Sequence, residues 1–304
     1  MQIGNTSVTV ACYANSGQKL ATGIARHLLP LLESQRAYLG GTLPVERYTF
    51  IIYHALNNRP NDYTGDGLEH STSTLCLFNS QLDSSLLGDF LYGLASHEFF
   101  HVLTPLTVHS EEIQDYDFLS PKMSQHLWLY EGMTDYATMH MPIKQGLQSL
   151  PDFLAAIQQK AKQMQQFDNK IPLTELSRAA MERQDQYYNF YLKGALVSLC
   201  LDIRLRELSG GKYGTQEMMR DLAARYGKNK PFKDDELFDV ITAMTFPEIR
   251  LFFRDYVEGA QPLPLAEYLA KTGIELDERN LKIKSTPDAT PAQLQLRQWW
   301  INQQ

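Results

Sequence analysis

Apolar and polar positions alternate near the start of the chain, where Val8, Val10 and Cys12 are interleaved with Ser7, Thr9 and Ala11. A period of two belongs to a half-buried strand; from Leu20 to Leu39 the apolar residues recur instead at helical spacing. Tyr48 to Ala55 is β-branched and aromatic, Asn57 to Gly67 is rich in turn formers, and Leu68 to Phe78 alternates again, so two more strands should join the first. Beyond Ser84 the period is 3.6, predicting helices over 84–103, 124–140, 151–166, 186–208, 215–226, 235–244, 247–257 and 264–271. Pro151 in a first turn and Gly210-Gly211 after a last one mark helix ends. Residues 284–292, with two prolines among Ser, Thr and Asp, read as a linker, and the tail beyond them carries Trp299 and Trp300. The expected organisation is one domain over 1–283, sheet-rich through residue 80 and helical over 84–275, followed by a linker and tail over 284–304.

Composition narrows the class. With 43% apolar and 21% charged residues in 304, the chain has the makeup of a folded domain that needs no disulfide staples. The balance of 28 Lys and Arg against 35 Asp and Glu gives a net charge of −7, which repels phosphate backbones, and nucleic acid is not an expected partner. Cys12, Cys76 and Cys200 lie far apart without a Cys-x-x-Cys pair, so buried free thiols are expected rather than a thiolate metal site. No run of eighteen apolar residues is present to span a membrane, and Met1 to Asn5 does not read as a signal peptide. A cytoplasmic location is the default, with the compartment itself and the oligomeric state left open.

The chemistry is concentrated in His97-Glu98-Phe99-Phe100-His101. Two histidines at i and i+4 project from one helix face about 6 Å apart along the axis, the spacing two imidazoles need to share one zinc ion. Glu98 stands beside the pair, where a carboxylate can take a proton from an activated water without ligating the metal. Catalytic zinc usually takes a third protein ligand. Thr104 and Thr107 stand where the longer metzincin pattern needs Gly and His, so that pattern is excluded. Glu111 and Glu112 follow closely after His101, and His109 is isolated. Glu131 fits better: it lies in Leu127-Trp128-Leu129-Tyr130-Glu131, an apolar run in which a carboxylate is costly unless paired or bound to metal. Asp135, one turn on, is placed to accept the free ring N–H of a zinc-bound histidine, His97 first among them.

These motifs together resemble the gluzincin metallopeptidases, and most closely the glycyl aminopeptidase family, many of whose members carry a PDZ domain. The resemblance rests on His97-Glu98-x-x-His101 followed by Leu127-Trp128-x-x-Glu131-Gly132-x-Thr134-x-Tyr136. Gly67-Leu68-Glu69-His70-x-x-Ser73-Thr74 is similar to the family's substrate-side strand, and Tyr191-Leu192-Lys193-Gly194 resembles a Tyr-x-Lys-Gly helix of the larger zinc aminopeptidases. It departs from the family at Val102-Leu103-Thr104-Pro105-Leu106, where Trp, Asn and basic residues are usual, so substrate preference does not carry over. Neither the family's preceding β-rich domain nor a PDZ-like stretch after Gly273 is expected within these 304 residues.

The resemblance implies an α+β, thermolysin-like zincin core in which a small N-terminal sheet is followed by a helical lobe. It implies one zinc per chain on His97, His101 and Glu131, with Glu98 as general base and a peptide or protein as substrate. Tyr191 would donate to the oxyanion formed when water attacks a carbonyl; the other reading of Tyr191 is core packing among Tyr187, Tyr188 and Phe190. Gly67 and Glu69 would lie on the substrate side, with Glu69 pairing with a free amino group. Aminopeptidase action on small N-terminal residues is the implied activity. Endopeptidase action by the same chemistry, and zinc-containing peptide binding without catalysis, stay open.

Overall fold

The structure, a computed structural model, describes residues 1–15, 17, 19–54, 65–78, 91–117 and 119–302. The chain divides into two compact units, Met1–Thr107 and Val108–Gln304.

In the first unit the expected alternation becomes a five-stranded sheet of β1 (Gln2–Ile3), β2 (Thr6–Ala14), β3 (Arg47–His54), β4 (Gly65–His70) and β5 (Ser73–Phe78), ordered β1-β2-β3-β5-β4. β2, β3 and β5 run parallel, while β1 and β4 are antiparallel to their neighbours. Leu68–Phe78 is not one strand: Ser71 and Thr72 turn the chain, pairing His70 with Ser73, and Gly65 to Gly67, expected in a turn, begin β4. That two-residue hairpin lacks the Asn-Gly or Asp-Gly signal that reveals such a turn. Helix α1 (Ala21–Tyr38) forms the crossover between β2 and β3 and buries Ile24, Leu28, Leu31 and Leu32. The inner sheet face carries Val8, Tyr48, Phe50, Ile52 and Cys76, all buried. Tyr13, Ile51, Tyr53, Leu68, Leu75 and Leu77, on the alternate positions, are exposed.

Of the helix expected over 84–103, residues 84–90 lie outside those described. The rest is a π-helical turn, Leu91–Ala95, running into the short α2 (Ser96–Phe100), and the chain turns away from His101 to Thr107. Gln35 Nε2 of α1 donates to the Ser96 carbonyl at 2.9 Å, and Phe99 meets Tyr48 edge-on at 5.0 Å, fixing α2 against α1 and β3.

The second unit is helical, as the 3.6 period predicts: α3 (Thr134–Lys144), α4 (Leu150–Met164), α5 (Leu173–Arg178), α6 (Ala195–Ser209), α7 (Thr215–Arg225), α8 (Leu237–Met244), α9 (Ile249–Tyr256) and α10 (Leu265–Lys271). Two of its helical segments begin as π-helical turns, Trp128–Met133 before α3 and Phe190–Gly194 before α6. α6 is buried from Ala195 to Ile203, an apolar helix packed on all sides, and Gly210 ends it in the left-handed conformation at φ 62°. α5 was not expected, and neither were β6 (Ile274–Asp277) and β7 (Lys282–Ser285), which pair antiparallel.

The stretch read as a linker and tail therefore contains the end of β7 and then α11 (Pro291–Ile301). Thr290 caps α11, its hydroxyl accepting from Gln293 N at 3.3 Å while Gln293 Oε1 accepts from Thr290 N at 2.8 Å. Trp300 is fully buried against Phe153 and His140, and Lys144 Nζ donates to the carbonyls of Trp299 and Trp300 at 2.8 and 3.2 Å. Among the described residues, no helix is long and apolar enough to cross a membrane. The three cysteines are free thiols, with Cys76 and Cys200 buried and Cys12 half-buried.

Candidate active site

In the first unit α2 carries His97 and Glu98 and its C-cap is His101, all buried, with their ligand atoms within 4.8 Å of one another. The imidazoles meet edge-on, centroids 4.7 Å apart. His101 Nδ1 lies 2.9 Å from the Thr104 carbonyl, and a carbonyl only accepts, so Nδ1 donates to it and the ring is held with Nε2 on its far side. This is the arrangement in which a histidine binds a metal through one nitrogen while the backbone fixes the other. Two imidazoles and an adjacent carboxylate, buried and gathered within 4.8 Å, suit a borderline-soft divalent cation such as zinc.

Glu98 is held by the sheet. Tyr48 Oη donates to its backbone carbonyl at 3.1 Å, and Thr74 Oγ1 donates to its Oε2 at 3.2 Å. Gly67 lies under the same side chain: a Cβ there would collide with the Glu98 carboxylate. Gly67 thus makes room for the expected base, a function the sequence reading did not give it. Glu69 is half-buried and stands opposite Thr74 across the β4–β5 pair, so both point to the same face as Gly67 and Cys76. Burial pushes the Tyr48 phenol and the Cys76 thiol well up, the latter to about 12, and the Glu98 charge adds to both. Both groups are therefore neutral at pH 7.

In the second unit Glu131 sits buried in the π-helical turn Trp128–Met133, and Tyr187 Oη donates to its Oε1 at 3.4 Å. Of the other third-ligand candidates, Glu111 is exposed and Glu112 is half-exposed with Lys122 at 3.9 Å. His109, though buried, has its Nε2 2.7 Å from Gln114 Oε1. Asp135 forms an ion pair with Lys160 of α4, and the same ammonium donates to the Tyr191 carbonyl at 3.1 Å. Lys160 thereby ties the first turn of α3 to the turn carrying Tyr191. The Tyr191 ring is half-buried and stacked on Tyr188 at 5.6 Å.

The glycines of the two helical motifs explain why those turns meet. A Cβ on Gly132 would lie 2.6 Å from the Gly194 Cα, so the backbones touch where Glu131-Gly132 passes Lys193-Gly194. Lys193 is buried, its Nζ donating to the carbonyls of Asn169 and Ile171 at 2.9 and 3.0 Å, and burial lowers its pKa to about 8. Its role in the Tyr-x-Lys-Gly motif is to hold a loop. His126, given no part in the chemistry, is packed against Phe232 and Phe238 with Nε2 2.7 Å from the Asp234 carbonyl; burial lowers its pKa to about 4.

The sequence reading missed Tyr48, Thr74, Lys160 and Tyr187. Only Thr74 left a signal, as a member of the strand motif; the others are ordinary polar residues until the fold gives them partners.

Both helical motifs and the histidine pair fall in one stretch that matches a known family. Residues 90–197 match the model of the M61 glycyl aminopeptidase family. The matched stretch contains His97, Glu98, His101, Glu131, Asp135 and Tyr191, while Gly67 and Glu69 lie before it. The chain is also similar to the crystal structure of an aminopeptidase N family protein from Idiomarina loihiensis, with a TM-score of 0.72 and 24% identity over 90% of this chain and 48% of that one. A second likeness is to an M1 zinc metallopeptidase from Deinococcus radiodurans, with a TM-score of 0.52 and 17% identity over 84% of this chain and 48% of that one. The chain spans about half the length of each structure. The fold is accordingly the α+β zincin-like fold, as expected. No curated protein matches the chain.

Proposed function

We propose that this chain is a zinc-dependent peptidase, and an aminopeptidase acting on small N-terminal residues. The observation that carries the proposal is the preformed His97, Glu98 and His101 cluster, in which the Thr104 carbonyl fixes the His101 ring through Nδ1. His97, His101 and Glu131 would hold the ion, Glu131 being the buried one among the carboxylates weighed as third ligand. Bound zinc supplies a Lewis acid that makes water nucleophilic near neutral pH. Glu98 accepts the proton of the attacking water on its carboxylate and delivers it to the leaving amine. The Tyr191 phenol donates to the developing oxyanion, Asp135 orients His97, and Glu69 and Gly67 border the substrate, Glu69 pairing with its ammonium group. The aminopeptidase preference draws its support from the name of the matched family.

The test combines metal analysis with a peptide-library digest. The protein should hold one zinc and release single N-terminal residues. Glu131→Ala should lose the metal, since removing one of three ligands opens the site to water. Glu98→Gln should keep the metal and lose most of kcat. Stoichiometric zinc in Glu131→Ala would move the third ligand to Glu111 or Glu112, and an active Glu98→Gln would end the mechanism. Internal cleavage of amine-blocked peptides would make the protein an endopeptidase, and zinc without turnover of any amide would make it a peptide-binding protein.

A further inference from the structure

We infer that Thr74 is the positioning residue of Glu98, with Gly67 forming the other wall of the slot that holds its carboxylate. The inference rests on the reading of Glu98 as general base and says how this chain aims it. A glutamate has three side-chain torsions, and a base that wanders by about 1 Å loses roughly 100-fold in rate. α2 fixes the Glu98 backbone, with Tyr48 Oη on its carbonyl, but does not fix the carboxylate. Two strands do. Thr74 is fully buried on the inner face of β5, next to Cys76, where a hydroxyl is costly unless it finds an acceptor. Its Oγ1 lies 3.2 Å from Glu98 Oε2 and 3.2 Å from the Leu68 carbonyl. The hydroxyl has one proton to give, and a charge-assisted bond is about twice as strong as a neutral one, so the carboxylate is the favoured acceptor. On the other side the Glu98 side chain lies over Gly67, at a position where any Cβ would collide with it. Such a collision is relieved by movement of the flexible carboxylate rather than of the strand. Gly67→Ala is therefore expected to fold and to displace Glu98.

Thr74 can be tested apart from a merely structural role because Glu69 is its register partner. A substitution that disturbed the β4–β5 hairpin would move Glu69 and with it the substrate, raising KM; one that only frees the base lowers kcat. Thr74→Val keeps the shape and removes the hydroxyl. It should lower kcat by roughly 10- to 100-fold with KM within about twofold, the loss of one hydrogen bond to a charged group. Zinc stoichiometry and affinity, measured by competitive titration with the metal alone, should equal those of the unchanged protein. Thr74→Ser, which restores the hydroxyl, should recover most of kcat, and Gly67→Ala should reproduce the Thr74→Val signature from the opposite side. Unchanged kcat in Thr74→Val, a rise in KM matching the loss of kcat/KM, or loss of zinc would each overturn the inference. Glu98→Gln assayed alongside separates this failure from that of the functional reading: an inactive Glu98→Gln beside a fully active Thr74→Val sinks the positioning role alone, whereas an active Glu98→Gln sinks the base itself.

Discussion

Replacing Gly132 by alanine tests the contact that joins the two helical motifs. The new Cβ would lie 2.6 Å from the Cα and carbonyl carbon of Gly194 and 3.0 Å from its oxygen, where ordinary contacts are 3.4–4 Å. These are backbone atoms and cannot rotate aside, so the two π-helical turns must separate by nearly an ångström. Overpacking of this kind costs about 1–3 kcal/mol, with the upper end apt where backbone meets backbone. Against it stands a gain of about 1 kcal/mol for alanine over glycine in a helix. The net loss is about 2 kcal/mol, which in a unit of this size lowers Tm by about 4–8 °C. Gly194→Ala supplies the internal control, since its Cβ would lie 3.0 Å from the Gly132 Cα and 3.5 Å from the Trp128 carbonyl, a misfit of a few tenths of an ångström. Its cost should roughly cancel the propensity gain, leaving Tm within about 2 °C. Thermal unfolding followed by circular dichroism reads both. An unchanged Tm in Gly132→Ala, or a Gly194→Ala loss equal to or larger than that of Gly132→Ala, would refute the reasoning.

Tyr191→Phe should lower kcat by roughly 10²- to 10³-fold with KM and zinc content unchanged, and a folded variant with full kcat would return Tyr191 to its packing role on Tyr188. Glu69→Gln should lower kcat/KM by roughly 10- to 150-fold on free-amine peptides and leave acetylated ones unaffected; equal loss on both would deny it the amine. Acid should destabilise the second unit through His140, whose pKa burial lowers to about 3. The neutral ring sits 2.9 Å from the Trp300 carbonyl and, at 3.9 Å from Asp202, is no ion pair at pH 7. Because the folded pKa lies below the unfolded one, the unfolded chain takes up a proton below pH 6.5 while the folded one does not. Stability is therefore lost as pH falls from about 6.5 toward 3, amounting to about 2 kcal/mol by pH 5. A His140→Asn variant should show a shallower decline of Tm between pH 7 and 5, and identical slopes would remove His140 from the account.

What the sequence determined by itself is local. The i, i+4 pair of His97 and His101 needs only one helical turn, and the 3.6 period from Leu150 to Met164 or Thr215 to Arg225 needs only one buried face, so these could be read residue by residue. The capping box of Thr290 and Gln293 was equally legible, yet two prolines in that stretch suggested a linker, although proline in the first turn is compatible with a helix. The π-helical turns were not legible, because one extra residue in a turn leaves the apolar pattern almost unchanged. Tertiary structure alone decided the rest. Thr74 reaches Glu98 across 24 residues, Tyr48 across 50, and Gly132 touches Gly194 from a different helical segment. In each case the side chain or the missing Cβ has ordinary local propensity, and its meaning depends on which surface the fold brings opposite it. The reactive groups were visible because their chemistry is written in residue type; the groups that aim them were hidden because aiming is a matter of distance.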